Sequence, residues 1–106
     1  MVTNPHRGEV WWGEIEGLGR RPYLVLTRDA AIPVHTQLVC APLTRTVRGI
    51  PTELALSADD GVPADCAASF DNLITIPKAT LTSMVIALTT ERRIEMCRAL
   101  RIALDC

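Results

Sequence analysis

Residues Glu9 to Thr27 read EVWWGEIEGLGRRPYLVLT, and this stretch decides the fold. Glu9 to Ile15 is aromatic and apolar enough for a strand. Trp11 and Trp12 are adjacent, so a strand points them to opposite faces, and one indole belongs in a core. Glu16-Gly17-Leu18-Gly19 then breaks the run, because two glycines free the backbone to turn. Tyr23 to Thr27 is a second, buried strand, entered through Pro22, which a strand tolerates as its first residue.

The same punctuation continues outward. Thr36 to Leu43 is a third strand closed by Pro42, and Thr52 to Leu56 a fourth in which polar and apolar residues alternate. Asp59-Asp60-Gly61-Val62-Pro63 is a turn. Cys66 to Ile76 reads as one longer strand, bent near Asp71-Asn72 and ended by Pro77-Lys78. Thr82 to Leu88 is the last strand. Thr89 or Thr90 then supplies an N-cap, with Glu91 in a first turn where an acid suits the helix dipole. Ile94, Cys97, Leu100 or Arg101, and Leu104 recur at helical spacing, which gives that helix one apolar face for the sheet. The pattern predicts a mainly β fold with a C-terminal α-helix, a small and strongly bent barrel of SH3-like type.

Length and composition bound what such a fold can do. At 106 residues, without repeats or linkers, the chain is expected to be a single domain over 1–106. That size removes roughly two-thirds of the unfolded surface from water, enough for one core. A hydrophobic content of 48% with 22% charged residues excludes a disordered chain. No run approaches the roughly 18 uninterrupted apolar residues of a membrane span. Met1 to Arg20 is interrupted by Glu9, Glu14 and Glu16 and has no leader-like apolar core, so the expected compartment is the cytoplasm. Cys40, Cys66, Cys97 and Cys106 are scattered, with no C-x-x-C pair, and His6 and His35 are not spaced as metal ligands; free thiols, no metal and no cofactor are expected. Net charge is only −1. Between Gly17 and Thr52, however, Arg20, Arg21, Arg28, Arg45 and Arg48 stand against Asp29 alone, which implies a basic face on the first half.

Six segments in order resemble one family along nearly the whole chain. Arg7-Gly8-Glu9-Val10-Trp11-Trp12 is similar to the first strand of the MazF/PemK/CcdB toxins, and Arg21-Pro22-Tyr23-Leu24-Val25-Leu26 to their second. Ala41-Pro42-Leu43-Thr44, followed by Arg45-Thr46, resembles their API-T segment. Gly61-Val62-Pro63-Ala64-Asp65-Cys66 resembles their G-L-x-x-D-S turn. Asp71 to Ile76 and Lys78 to Leu81 resemble their Q-I-x-T-I-x-K-x-x-L stretch. The resemblance, strongest to the MazF/PemK branch, implies a dimeric CcdB/PemK-type barrel that cuts single-stranded RNA without metal. It also implies neutralisation by an antitoxin whose acidic, partly disordered segment occupies the basic rim. Two other readings are a CcdB-like gyrase poison, whose Trp-rich tail the ending Ala103-Leu104-Asp105-Cys106 lacks, and a non-catalytic SH3-like peptide-binding module, for which the aromatics are few.

The same resemblance assigns Arg21 as the catalytic arginine and Thr44 as the catalytic hydroxyl. Arginine presents fixed donors that suit phosphate oxygens, and a hydroxyl can donate one more. If their two strands are neighbours, both side chains emerge at one rim of the barrel. Arg20, Arg45 and Arg48 are candidates to bind neighbouring phosphates. Phe70 could stack a base, and Asp71 or Asn72 could read a base edge. Arginine stays protonated in ordinary settings, so the proton acceptor is open; Glu16, in a first loop shorter than the family's usual one, is an imperfect candidate. His35 reads as a surface histidine. Cys66 stands where the family has serine and Asn72 where it has glutamine, which leaves the recognised RNA sequence undefined.

Overall fold

The computed structural model describes residues 4–106. Its strands are β1 (Glu9–Ile15), β2 (Gly19–Val25), β3 (Gln37–Thr44), β4 (Glu53–Leu56), β5 (Cys66–Ser69), β6 (Ile74–Pro77) and β7 (Leu81–Ala87), followed by the helix α1 (Thr90–Leu104). All pair antiparallel in the order β4-β5-β3-β2-β1-β7, with β6 also on β3. The result is a strongly bent, mostly β half-barrel closed by a C-terminal helix, as the sequence pattern predicts.

Two apolar clusters follow from the pleat of the central strands, because successive side chains point to opposite faces. Val10, Leu24 and Ala41 enter one cluster with Leu54, Phe70 and the helix residues Met96 and Ala99. Their chain neighbours Trp11, Tyr23, Val25 and Cys40 enter the other, with Leu38 and Ile76. Ile32, from the loop between β2 and β3, plugs that second cluster, and Lys78 Nζ donates to its carbonyl at 2.9 Å. Burying each large side chain this way contributes about 1.5–3 kcal/mol. Trp11 is the core indole, and Trp12 remains half-buried on the other face.

Three sequence expectations are corrected. Strand β2 begins at Gly19 and carries Pro22 in its interior, opposite Trp12. The β3 ladder begins only at Tyr23, so at Pro22 one side of the strand is open and a residue without N–H is tolerated. The single strand expected over Cys66 to Ile76 is two, β5 and β6, separated by a turn at 70–73. In that turn Phe70 drops into the core, Asn72 Nδ2 donates to Ser69 Oγ at 3.1 Å, and Thr52 Oγ1 donates to Asp71 Oδ2 at 2.6 Å. Both halves still pair with β3, one at each end.

The third correction concerns α1. Its N-cap is Thr89, whose Oγ1 accepts from Arg92 N at 3.2 Å. The face turned inward carries Met96 and Ala99, whereas Ile94 and Leu104 of the expected apolar stripe are 56% and 53% exposed. Arg92 sets the rotation: its Nε donates to Asp60 Oδ1 at 3.0 Å, and its Nη2 to the carbonyl of Ala55. That tie draws the Arg92–Met96–Ala99 side against β4; Cys97 and Leu100 of the expected stripe pack at the edge of the same cluster, and Ile94 and Leu104 are left outside.

Gly13 in β1 lies under the Tyr23 ring, and a Cβ there would meet Cδ2 and Cε2 at 2.8 Å. Overpacking of this kind costs about 1–3 kcal/mol. Gly13→Ala should therefore lower the denaturation midpoint in urea by that amount of stability, whereas Gly17→Ala, which meets no atom within 4 Å, should act only through its positive φ of 86°.

Candidate active site

The register of β2 on β3 positions the site. Tyr23 pairs with Pro42, Leu24 with Ala41 and Val25 with Cys40. Arg21 and Thr44 each lie two residues beyond the last of these pairs, so by the alternation of the pleat they share the face of Tyr23 and Pro42 at the rim of the barrel. Both line a cleft of about 480 Å³ together with Arg45, Arg48, Glu53, Ser69 and Asn72. The two strands are neighbours, and the two side chains emerge together.

Hydrogen bonds hold the floor and wall of this cleft. Thr46 N donates to Thr44 Oγ1 at 3.1 Å, so the hydroxyl's own hydrogen is directed elsewhere. Arg48 N donates to Glu53 Oε1 at 3.0 Å, which ties the loop after β3 to the start of β4. Asn72, by its bond to Ser69, closes the opposite side. Glu53 and Ser69 are the cleft residues that sequence reasoning misses. They are cross-strand partners on β4 and β5, a juxtaposition set by pairing and invisible along the chain.

The electrostatics are one-sided. Arg21, Arg45 and Arg48 are exposed, and none forms an ion pair among the described residues, where the pairs are His6–Asp29, Arg92–Asp60 and Arg92–Glu95. Burial pushes the Tyr23 hydroxyl up, partly offset by the Arg21 guanidinium, so the field of Arg21 reaches back along its strand. The Cys66 thiol is raised by burial and then by Asp65 and Asp60, with Arg45 opposing, which keeps it protonated. Three free guanidinium groups around one hydroxyl can grip an anion with several oxygens.

The remaining candidates are placed elsewhere. Arg20 follows the pleat away from Arg21, and its Cζ stands 4.4 Å from the centroid of the Trp12 ring. It lines a second, more enclosed hollow of about 240 Å³, which shares Leu43, Thr44 and Arg45 with the cleft. Phe70 is only 2% exposed in the core, so it offers no surface on which a base could stack. Its position at the end of β5 turns it inward, against the expectation from sequence. Asp71 is exposed and engaged by Thr52, and it does not line the cleft. Glu16 is exposed in the turn between β1 and β2 and is not a cleft residue either; nor is His35.

A bent antiparallel half-barrel with a basic rim cleft defines a class of small β proteins, and comparison with known proteins narrows it. Residues 6–104 match the family described as the PemK-like, MazF-like toxin of type II toxin-antitoxin systems. A Mycobacterium tuberculosis protein named "Probable endoribonuclease MazF5" is 40% identical over 107 aligned positions, covering 100% of this chain and 98% of its own. The solved Mycobacterium tuberculosis toxin MazF-mt6 superposes with a TM-score of 0.82 at 31% identity, over 92% of this chain and 96% of its own. An endoribonuclease from a mycobacterial species, solved in complex with its cognate antitoxin, superposes with a TM-score of 0.83 at 29% identity, over 95% of each chain. The chain belongs to the PemK-like, MazF-like toxin family.

The core thiol behind this site makes a pH prediction. Burial raises Cys40 from an ordinary 9.0 to about 12. Below pH 9.0 folded and unfolded chains both keep that proton and the stabilisation is complete; as pH rises towards about 12 only the unfolded chain releases it, and stability is lost. The melting temperature should fall across that window, and Cys40→Ala, less stable at neutral pH because of the cavity it leaves, should show a shallower fall.

Proposed function

We propose that the chain is the toxin of a toxin-antitoxin pair and acts as an endoribonuclease on single-stranded RNA. The observation that carries this reading is that Arg21 and Thr44 line one cleft together with the unpaired guanidinium groups of Arg45 and Arg48. The relatives named as endoribonucleases support the same activity.

The reaction uses the ribose 2′-OH as an internal nucleophile. The bond from O2′ to phosphorus forms, the bond from phosphorus to O5′ breaks, and the products are a 2′,3′-cyclic phosphate and a 5′-OH end. The proton leaving O2′ goes to an acceptor, and the departing O5′ takes one up. Arg21 holds the non-bridging oxygens and stabilises the charge that builds on them. Thr44, whose oxygen already accepts from Thr46, donates its own hydrogen to the same phosphate. Arg45 and Arg48 hold flanking phosphates, with Arg20 further along the rim, and Asn72 reads a base edge. Guanidinium and hydroxyl supply the charge stabilisation, so no metal is needed. Neither Glu16 nor Phe70 has a part in this mechanism.

A cognate antitoxin, by its acidic segment, fills the same basic cleft, a partnership supported by the relative solved with its own antitoxin. The toxin acts in the cytoplasm as a homodimer, and the exposed Ile94, Ile102 and Leu104 of α1 are apolar surface suited to the contact between copies. No helix among the described residues is long and apolar enough to cross a membrane.

The test is a long single-stranded RNA incubated with the protein in EDTA, with fragment ends sequenced. Discrete fragments with cyclic phosphate ends are expected, and intact RNA would overturn the reading. Arg21→Ala and Thr44→Ala should each slow cutting by about 100- to 1000-fold while leaving the melting temperature near that of the parent. If about four phosphates are contacted, binding should weaken roughly 50-fold between about 50 and 200 mM salt, and Arg45→Ala with Arg48→Ala should flatten that dependence.

A further inference from the structure

The second hollow is separated from the cleft by a single wall. Leu43, Thr44 and Arg45 line both. Beyond that wall the hollow is built from Trp12, Pro22, Val62, Ala64, Cys66 and Val85, and it holds about 240 Å³. No carboxylate is among its lining residues; its charged groups are Arg20 and Arg45. Arg20 lies on the Trp12 indole at 4.4 Å, so a flat guanidinium and a flat ring already stack at its edge.

We infer that this hollow is a nucleobase subsite, holding one base of the RNA beside the phosphodiester gripped at Arg21 and Thr44. The inference rests on the nuclease reading and extends it to sequence recognition. A base and its phosphate are joined by one ribose, so a phosphate seated against the Thr44–Arg45 wall delivers a base to the hollow behind it. The walls suit that base in kind: apolar side chains for its faces, an indole and a guanidinium for stacking. The volume suits one flat base. Both charged groups are arginines, which only donate hydrogen bonds, so they favour a base edge that carries acceptors and no amino donor. On their major-groove edges uracil and guanine present a carbonyl oxygen where adenine and cytosine carry an amino donor.

Ala64 and Val85 enter the hollow without lining the cleft, so they test it separately from the chemistry. RNA cut by the parent protein should show a preference for uracil or guanine at one position next to the scissile bond. Ala64→Leu fills the hollow; it should flatten that preference and slow cutting at preferred sites roughly tenfold, the usual worth of one stacked base. Val85→Met, at another lining position, should do the same, and a melting curve for each variant identifies any that fails to fold. An oligonucleotide abasic at that one position should bind the parent protein roughly tenfold more weakly and Ala64→Leu no more weakly than the intact strand does. If both folded variants cut with the parent's sequence profile, the base subsite is overturned while the nuclease stands, and the hollow is left to a protein side chain. If the parent protein cuts and binds no RNA, the nuclease reading fails and the subsite falls with it.

Discussion

Burial of β2 on both of its faces underlies everything else in this molecule. Leu24 has no exposed surface and faces the cluster under α1, while Tyr23 and Val25, 2% and 0% exposed, face the cluster plugged by Ile32. A slip of one residue against β3 would exchange these faces and send each side chain into the wrong core. The register is therefore strongly specified, and with it the alignment of Arg21 and Thr44 two residues beyond the last ladder pair. Gly13 contributes from the other side, since only a residue without a side chain leaves room for the Tyr23 ring on β1. The geometry of the candidate site at the rim is thus inherited from packing in the middle of the sheet.

The rim itself is arranged against the stability of the empty protein. Arg21, Arg45 and Arg48 crowd one cleft, with Glu53 the carboxylate among the residues lining it, and that carboxylate is already engaged by a backbone N–H. Elsewhere the chain neutralises its charges, as where Arg92 joins Asp60 and Glu95. Like charges held close cost free energy in the unliganded state, and any polyanion that settles there relieves the cost. Under the proposed function, an RNA strand and an acidic segment of an antitoxin would offer the same relief and compete for the cleft.

Most of the fold was legible along the chain because its signals are local. Paired glycines, prolines and apolar runs mark the strands, and Thr89 marks the helix start. What escaped was decided by tertiary contact. The inward face of α1 follows from Arg92 reaching Asp60, a partner 32 residues away, and not from the apolar count on either stripe. Phe70 looked available because it sits beside exposed Asp71 and Asn72, yet the turn between β5 and β6 drives it into the core. In the candidate site, Arg21 and Thr44 were found through the family resemblance, Arg45 and Arg48 from their places just after Thr44, and Asn72 from its amide, and all five line one cleft. Glu53 and Ser69 were not, since a cross-strand neighbour leaves no mark in linear sequence. Glu16 was suggested by its loop, and the turn carries it away from the cleft.

The placement of Arg20 and Arg21 in two different hollows has a consequence for how such a chain can vary. Two identical residues side by side line separate hollows only because the pleat sends them to opposite faces of one strand. Insertions within the turn at 16–18 lengthen a loop and disturb neither. Inserting or deleting a single residue between Gly19 and Tyr23 would reverse that parity, delivering the wrong guanidinium to each hollow. Drift in length is tolerable on one side of Gly19 and ruinous on the other, so descendants of this chain are free to lengthen that turn but not the strand it feeds.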